Sequence, residues 1–183
     1  MEEPYYIGID IGKKGGICIS GNGRFSRSKM PLTKNGDVDF IEIFERLRFF
    51  QGKEAYVCFE ELRGIYGASK ESTWELAEQC GKLKFIVKLL KIPYIEVQPK
   101  KWQKEIFEGI GKKTLDKDSS DYLKMNSTTD TKTMAYFAFL RLYPNLEVPK
   151  GSRGGILDGV IDAVLLMRYC ARVVQFEKSK KKK

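Results

Sequence analysis

The chain opens with an apolar run, Tyr5 to Ile11, broken by a single acid at Asp10. Gly15-Gly16 turns it into Ile17-Cys18-Ile19-Ser20, and Gly21-Asn22-Gly23 turns it again into Arg24 to Met30. Short apolar runs separated by glycine-rich turns predict a three-stranded meander. From Asp37 to Phe50 the apolar residues fall near positions 40, 41, 44, 47 and 50, a helical spacing. Ala55 to Phe59 predicts a fourth strand that runs into Glu60-Glu61. A long helix is predicted over 69–91, with Trp74, Leu76, Ala77, Cys80, Leu83, Ile86, Val87 and Leu90 on its apolar side. Pro93 to Val97 predicts a fifth strand, and Pro99, tolerated in a first helical turn, opens a helix through Phe107. Thr131 to Tyr143 is helical and ends at Pro144; after the GSRGG stretch at 151–155 a last helix covers 156–174. Residues 109–128 are polar and lack any period, which predicts a mobile loop or insertion. The sum is an α/β domain with a mixed sheet.

Composition narrows what such a domain can do. A length of 183 residues with 42% hydrophobic content suits one domain with a true core. No apolar run approaches the roughly 20 residues that span a bilayer, and the acidic Met1-Glu2-Glu3-Pro4 start does not resemble a secretory signal. A cytoplasmic location is therefore expected, with no membrane partner. Net charge is +9, and the last seven residues, EKSKKKK, supply +4 of it. A moderately basic body (1–175) with a basic, disordered tail (176–183) favours a polyanionic partner such as nucleic acid. The chain has no histidine, so Ser-His-Asp and Cys-His catalysis cannot operate. Its four cysteines are widely separated, which argues against structural zinc and for buried free thiols. Any chemistry at neutral pH must rest on carboxylates, lysines or a bound metal.

Three carboxylate features stand out against their surroundings. Asp10 lies in the apolar segment Ile7-Gly8-Ile9-Asp10-Ile11-Gly12, where an unpaired acid costs several kcal/mol. The glycines around it leave room for a ligand to approach the backbone. Glu60 ends the strand Tyr56-Val57-Cys58-Phe59, and period-2 alternation sets it opposite Glu61. A register shift of one residue would hand its role to Glu61. Asp158 and Asp162 lie four apart in Leu157-Asp158-Gly159-Val160-Ile161-Asp162-Ala163 and so share one helical face. Asp162 in particular is embedded in a core-forming sequence. A divalent cation would relieve both the burial and the mutual repulsion of these acids, and their hard oxygens suit Mg²⁺ or Mn²⁺. Four such carboxylates fit two-metal phosphodiester hydrolysis by a metal-activated water.

The GIDIG segment, the strand-end Glu60 and the LDGVIDA helix resemble the RuvC-type Holliday-junction resolvases of the ribonuclease H-like superfamily. The segments Val97-Gln98-Pro99-Lys100-Lys101-Trp102 and Asp130-Thr131-Lys132 are similar to those of phage-encoded members, such as that of a lactococcal phage. The resemblance implies a ribonuclease H-like fold with a mixed five-stranded sheet and helices on both faces. It also implies a homodimer that cuts branched DNA, Holliday junctions above all, with Mg²⁺ or Mn²⁺. It assigns Asp10, Glu60, Asp158 and Asp162 to catalysis and metal binding, and Lys101 and Lys132 to phosphates near the site. One departure is visible: bacterial members space the last two aspartates by three residues, whereas here the spacing is four, on the same helical face. Lys100 and Lys104 belong to a stretch, 100–132, in which eight lysines share the chain with six acids, and they join the expected DNA contacts. Trp74, Phe50, Phe107 and Tyr122 either stack on an opened junction or, more simply, pack in the core. The apolar residues of the 69–91 helix exceed one core face, which makes it the expected dimer interface.

Two rival functions share parts of this pattern. An ATP-binding domain of the sugar-kinase, actin and Hsp70 type also opens on a strand followed by Asp10-Ile11-Gly12, but it needs two such domains and a second phosphate loop. A non-catalytic branched-DNA-binding module on the same fold would have little use for four acids.

Overall fold

The computed structural model describes residues 3–61, 69–110 and 131–181. The elements follow in chain order as β1 (Tyr5–Asp10), β2 (Gly16–Gly21), β3 (Arg24–Lys29), α1 (Phe40–Arg48), β4 (Ala55–Glu60), α2 (Lys70–Leu89), β5 (Tyr94–Val97), α3 (Pro99–Ile106), α4 (Thr131–Leu142) and α5 (Asp158–Lys181). The five strands form one sheet in the order β3-β2-β1-β4-β5. β1, β2 and β3 pair antiparallel through the two glycine turns, whereas β4 and β5 join parallel to β1 and to one another. The helical crossovers α1 and α2 are what parallel pairing requires.

Alternation along the central strands divides the core in two. Tyr5, Ile7 and Ile9 of β1 join Ala55, Val57 and Phe59 of β4 in a cluster closed by Ile43 and Leu47 of α1 and Leu83, Ile86 and Val87 of α2. The opposite face carries Tyr6 and Cys58, which pack beneath α3, α4 and α5. Helices thus cover both faces of a mixed five-stranded sheet. Local signals set the helix starts: Asp39 accepts from the backbone N–H groups of Ile41 (3.1 Å) and Glu42 (3.0 Å), and Ser69 accepts from that of Ser72 (3.1 Å). All four cysteines are buried and unbridged.

Several expectations change. α5 runs through Lys181, beyond the expected end at residue 174 and into the segment expected to be a disordered tail. After Gly159 the sequence holds no glycine or proline to stop a helix. Lysines also favour the negative end of a helix, and Lys178 pairs with Glu54 ahead of β4. On α2, Trp74 and Ala77 are exposed, because only the helix from Gln79 onward contributes buried side chains. Phe50 is buried in the core, and Phe107 packs edge-on against Trp102. The expected loop falls, from residue 111 onward, outside the described residues, as does Tyr122. None of the described helices is long and apolar enough to cross a membrane.

Candidate active site

Backbone packing brings the separated acids together. α5 lies directly across β1 and β2, and small residues are what let it approach. A Cβ at Gly8 would meet the Ala163 carbonyl oxygen at 2.1 Å and the Met167 nitrogen at 2.3 Å. At Gly16 it would meet the Val160 Cα at 2.8 Å, and at Gly159 the Lys14 carbonyl oxygen at 2.3 Å. The space expected for a ligand beside Gly8 is therefore filled by the chain's own helix. Gly12, with φ of +138° and open space around it, is the glycine that does leave room.

Asp10 is the last residue of β1, on the face that α5 covers. The parallel register pairs Ile9 with Phe59, so the next positions, Asp10 and Glu60, end adjacent strands on the same face. Glu60, and not Glu61, shares the face of Tyr56 and Cys58 toward α5. Its Oε1 accepts a hydrogen bond of 2.7 Å from the indole Nε1–H of Trp102 on α3. Asp158 opens α5, where the positive end of the helix favours an anion. Asp162 follows one turn deeper.

The four acids share one electrostatic field. Burial pushes the Asp10 carboxyl well above its ordinary range, and the charges of Asp162, Glu60 and Asp158 push it further; Lys132 opposes them. Asp162 is raised to about 7, first by burial and then by Glu60 and Asp158. Glu60 is raised by burial, with the Trp102 hydrogen bond pulling the other way. Among the described residues, no three acidic or thiol side chains stand close enough to form a ready-made metal cage. Part of the negative charge is met instead by Lys132, whose ammonium lies 3.0 Å from Asp158 Oδ2.

A cleft of about 690 Å³ opens on this field. Asp10, Asp158 and Asp162 line it, together with Gly12, Lys13, Lys14, Lys29 and Lys132; Glu60 stands outside its wall on β4. Of the lysines expected to contact DNA, only Lys132 lies in the cleft. Lys100, Lys101 and Lys104 are exposed on α3, because that helix turns Trp102 and Ile106 inward. Lys14 and Lys29 were not anticipated as cleft residues. The one sequence signal for Lys14 was the Lys13-Lys14 pair in the turn that follows Asp10, and Lys29, at the end of β3, had none. Lys13 itself is tied to Asp37 (3.1 Å) and Glu75 (3.2 Å). Trp102 figured in the sequence only as part of the Val97-to-Trp102 segment, and nothing in its spacing announced a bond to an acid 42 residues earlier.

No family model matches the chain, and no curated protein matches it in sequence. Solved structures do. The structure of Thermus thermophilus RuvC superposes with a TM-score of 0.54 at 14% identity, over 92% of this chain and 96% of that one. T. thermophilus RuvC in complex with a Holliday junction substrate gives 0.51 at 13% identity, over 93% and 96%. The likeness spans nearly the whole of both chains and establishes the fold as the ribonuclease H-like arrangement seen in RuvC.

Proposed function

We propose that this protein is a divalent-metal-dependent endonuclease that resolves Holliday junctions and related branched DNA, acting as a homodimer. The observation that carries the proposal is the convergence of Asp10, Asp158 and Asp162, with Glu60 beside them, at one lysine-edged cleft of a RuvC-like fold. An acid cluster in which Glu60 and Asp158 raise the proton affinity of Asp10 and Asp162 is poised to accept a cation, and the ammonium of Lys132 already lies against Asp158. The donors are all carboxylate oxygens, which fit Mg²⁺ or Mn²⁺ and poorly fit soft metals. Asp10, Glu60, Asp158 and Asp162 would hold the metal. When bound, it supplies Lewis-acid polarisation of a phosphodiester and a more acidic water.

The protein's own groups divide the remaining work. Asp10 and Asp162, placed by β1 and α5, set two buried carboxyls at the cleft floor whose raised proton affinity a bound cation would replace. Lys14, Lys29 and Lys132 attract the sugar-phosphate backbone to the rim, where such contacts give affinity without sequence information. Lys100, Lys101 and Lys104 on α3 extend the same potential beyond the cleft. Gly12 lets a strand approach the turn after β1.

A labelled four-way junction incubated with Mg²⁺, beside Asp162→Asn, tests the proposal. The wild type should cut near the branch point. The variant should bind the junction yet lose activity by more than the roughly 10–100-fold that a mere outer partner of a metal ligand costs. Binding should weaken as salt rises, as phosphate contacts demand. Binding with no cleavage by the wild type at any Mg²⁺ or Mn²⁺ concentration would end the nuclease proposal.

A further inference from the structure

Glu60 differs from the three aspartates in a way that calls for a partner. An aspartate side chain on a strand end or helix has two torsions, whereas a glutamate has three and sweeps a wider volume. A carboxylate used as a fixed ligand must be held, or it surrenders rotamer entropy at each binding event. Trp102 is in a position to hold it. Its ring is 1% exposed, and its Nε1–H reaches Glu60 Oε1 at 2.7 Å, a short contact of the charge-assisted kind. The indole N–H is a donor only, so it fixes one oxygen without competing for a cation. The second oxygen of a carboxylate keeps its own lone pairs for a ligand.

The clamp is itself immobilised. Trp102 packs edge-on against Phe107 with ring centroids 5.6 Å apart, inside the cluster beneath α5. The end of its helix is tied to α4, where the Arg141 guanidinium donates to the Ile106 carbonyl at 2.8 Å and also to that of Glu108. α3 thus supplies a rigid donor from outside the strand that carries Glu60.

From this geometry we infer that Trp102 is a positioning residue that orients Glu60 toward the acid cluster and thereby sets the affinity of the site for its metal. The inference rests on the metal-site function proposed above. Trp102→Phe keeps the buried ring and deletes the donor. In the metal-free protein without DNA, Mn²⁺ titration followed by electron paramagnetic resonance should show affinity lowered by roughly tenfold, the range typical of outer partners of metal ligands. In cleavage, the Mg²⁺ concentration for half-maximal rate should rise by a similar factor, while the rate at saturating Mg²⁺ changes less. Junction binding without metal should stay the same.

A second measurement does not depend on the variant folding. The chain has two tryptophans, so the wild type gives two indole N–H resonances. Mg²⁺ should shift that of Trp102 and leave that of Trp74, 75% exposed on α2, in place. Glu60→Gln should abolish the shift. If Trp102→Phe and the wild type bind Mn²⁺ equally while Asp162→Asn does not bind, Trp102 is a core residue and the inference fails. A Trp102 resonance unmoved by Mg²⁺ would overturn it as well. Equal Mn²⁺ affinity in the wild type and Asp162→Asn would instead remove the metal-site function on which the inference depends.

Discussion

Asp162 shows at the scale of one residue what the cluster costs. Its carboxyl is raised to about 7 by burial and by Glu60 and Asp158, whereas in an unfolded chain it would titrate near the ordinary aspartate value. Between those two values the folded protein holds a proton that the unfolded chain has released. Stability of the metal-free protein should therefore fall as pH rises from about 4 to about 7, and level off above it. Partial solvent exposure of the group reduces the effect to on the order of 1–3 kcal/mol. Thermal denaturation across that range should show the decline in the wild type and a flatter profile in Asp162→Asn. Saturating Mg²⁺ should flatten it too, because a cation bound to the ionised form replaces the proton. A wild-type profile that rises over the same window would contradict the burial of charge described for the cluster. Asp10 and Asp162 were legible in the sequence because each interrupts an apolar run. Glu60 was preferred to Glu61 only as long as the strand register held, since alternation gives opposite faces to neighbours but cannot say which face the helices will cover.

At the scale of elements, the site depends on how closely α5 lies on β1. Gly8→Ala would place a Cβ 2.1 Å from the Ala163 carbonyl oxygen, backbone that cannot swing aside. The expected cost is about 3 kcal/mol, a Tm loss of roughly 6–12 °C, with cleavage lost because Asp162 moves with the helix. Gly155→Ala, which meets nothing within 4 Å, should change stability by less than about 0.5 kcal/mol. Equal melting temperatures for the two variants would show that the contact at Gly8 is looser than described. α2 carries a different consequence. Trp74, Phe85 and Leu89 are 75%, 65% and 54% exposed on it, more apolar surface than a solvated helix needs. If the proposed homodimer forms through α2, Phe85→Glu should convert a dimer to a folded monomer in sedimentation equilibrium. A dimer unaffected by the change would place the interface elsewhere. Element types and order followed from periodicity and turn residues. Boundaries were less legible, as in α5, where a change in composition after residue 174 suggested an end that the helix, lacking a breaker, passes through.

Across the whole molecule, the chain order and the spatial order diverge, and function depends on the second. The apolar periods, the glycine turns and the length of the crossovers were enough to specify an α/β domain with a mixed sheet, because each is a local consequence of residue type and spacing. The same local evidence marked acids in apolar surroundings as chemically unusual, since the cost of burying charge is a property of the immediate sequence. The tertiary structure decided which of those acids meet. Strand order β3-β2-β1-β4-β5 puts the ends of β1 and β4 side by side, and the glycine seam seats α5 across them. It also took Lys100, Lys101 and Lys104 out of the cleft, brought Lys14 and Lys29 into it, and gave Glu60 its partner in Trp102. Those are contacts between residues tens of positions apart, and no local pattern encodes them, because they depend on which faces pack and at what distance.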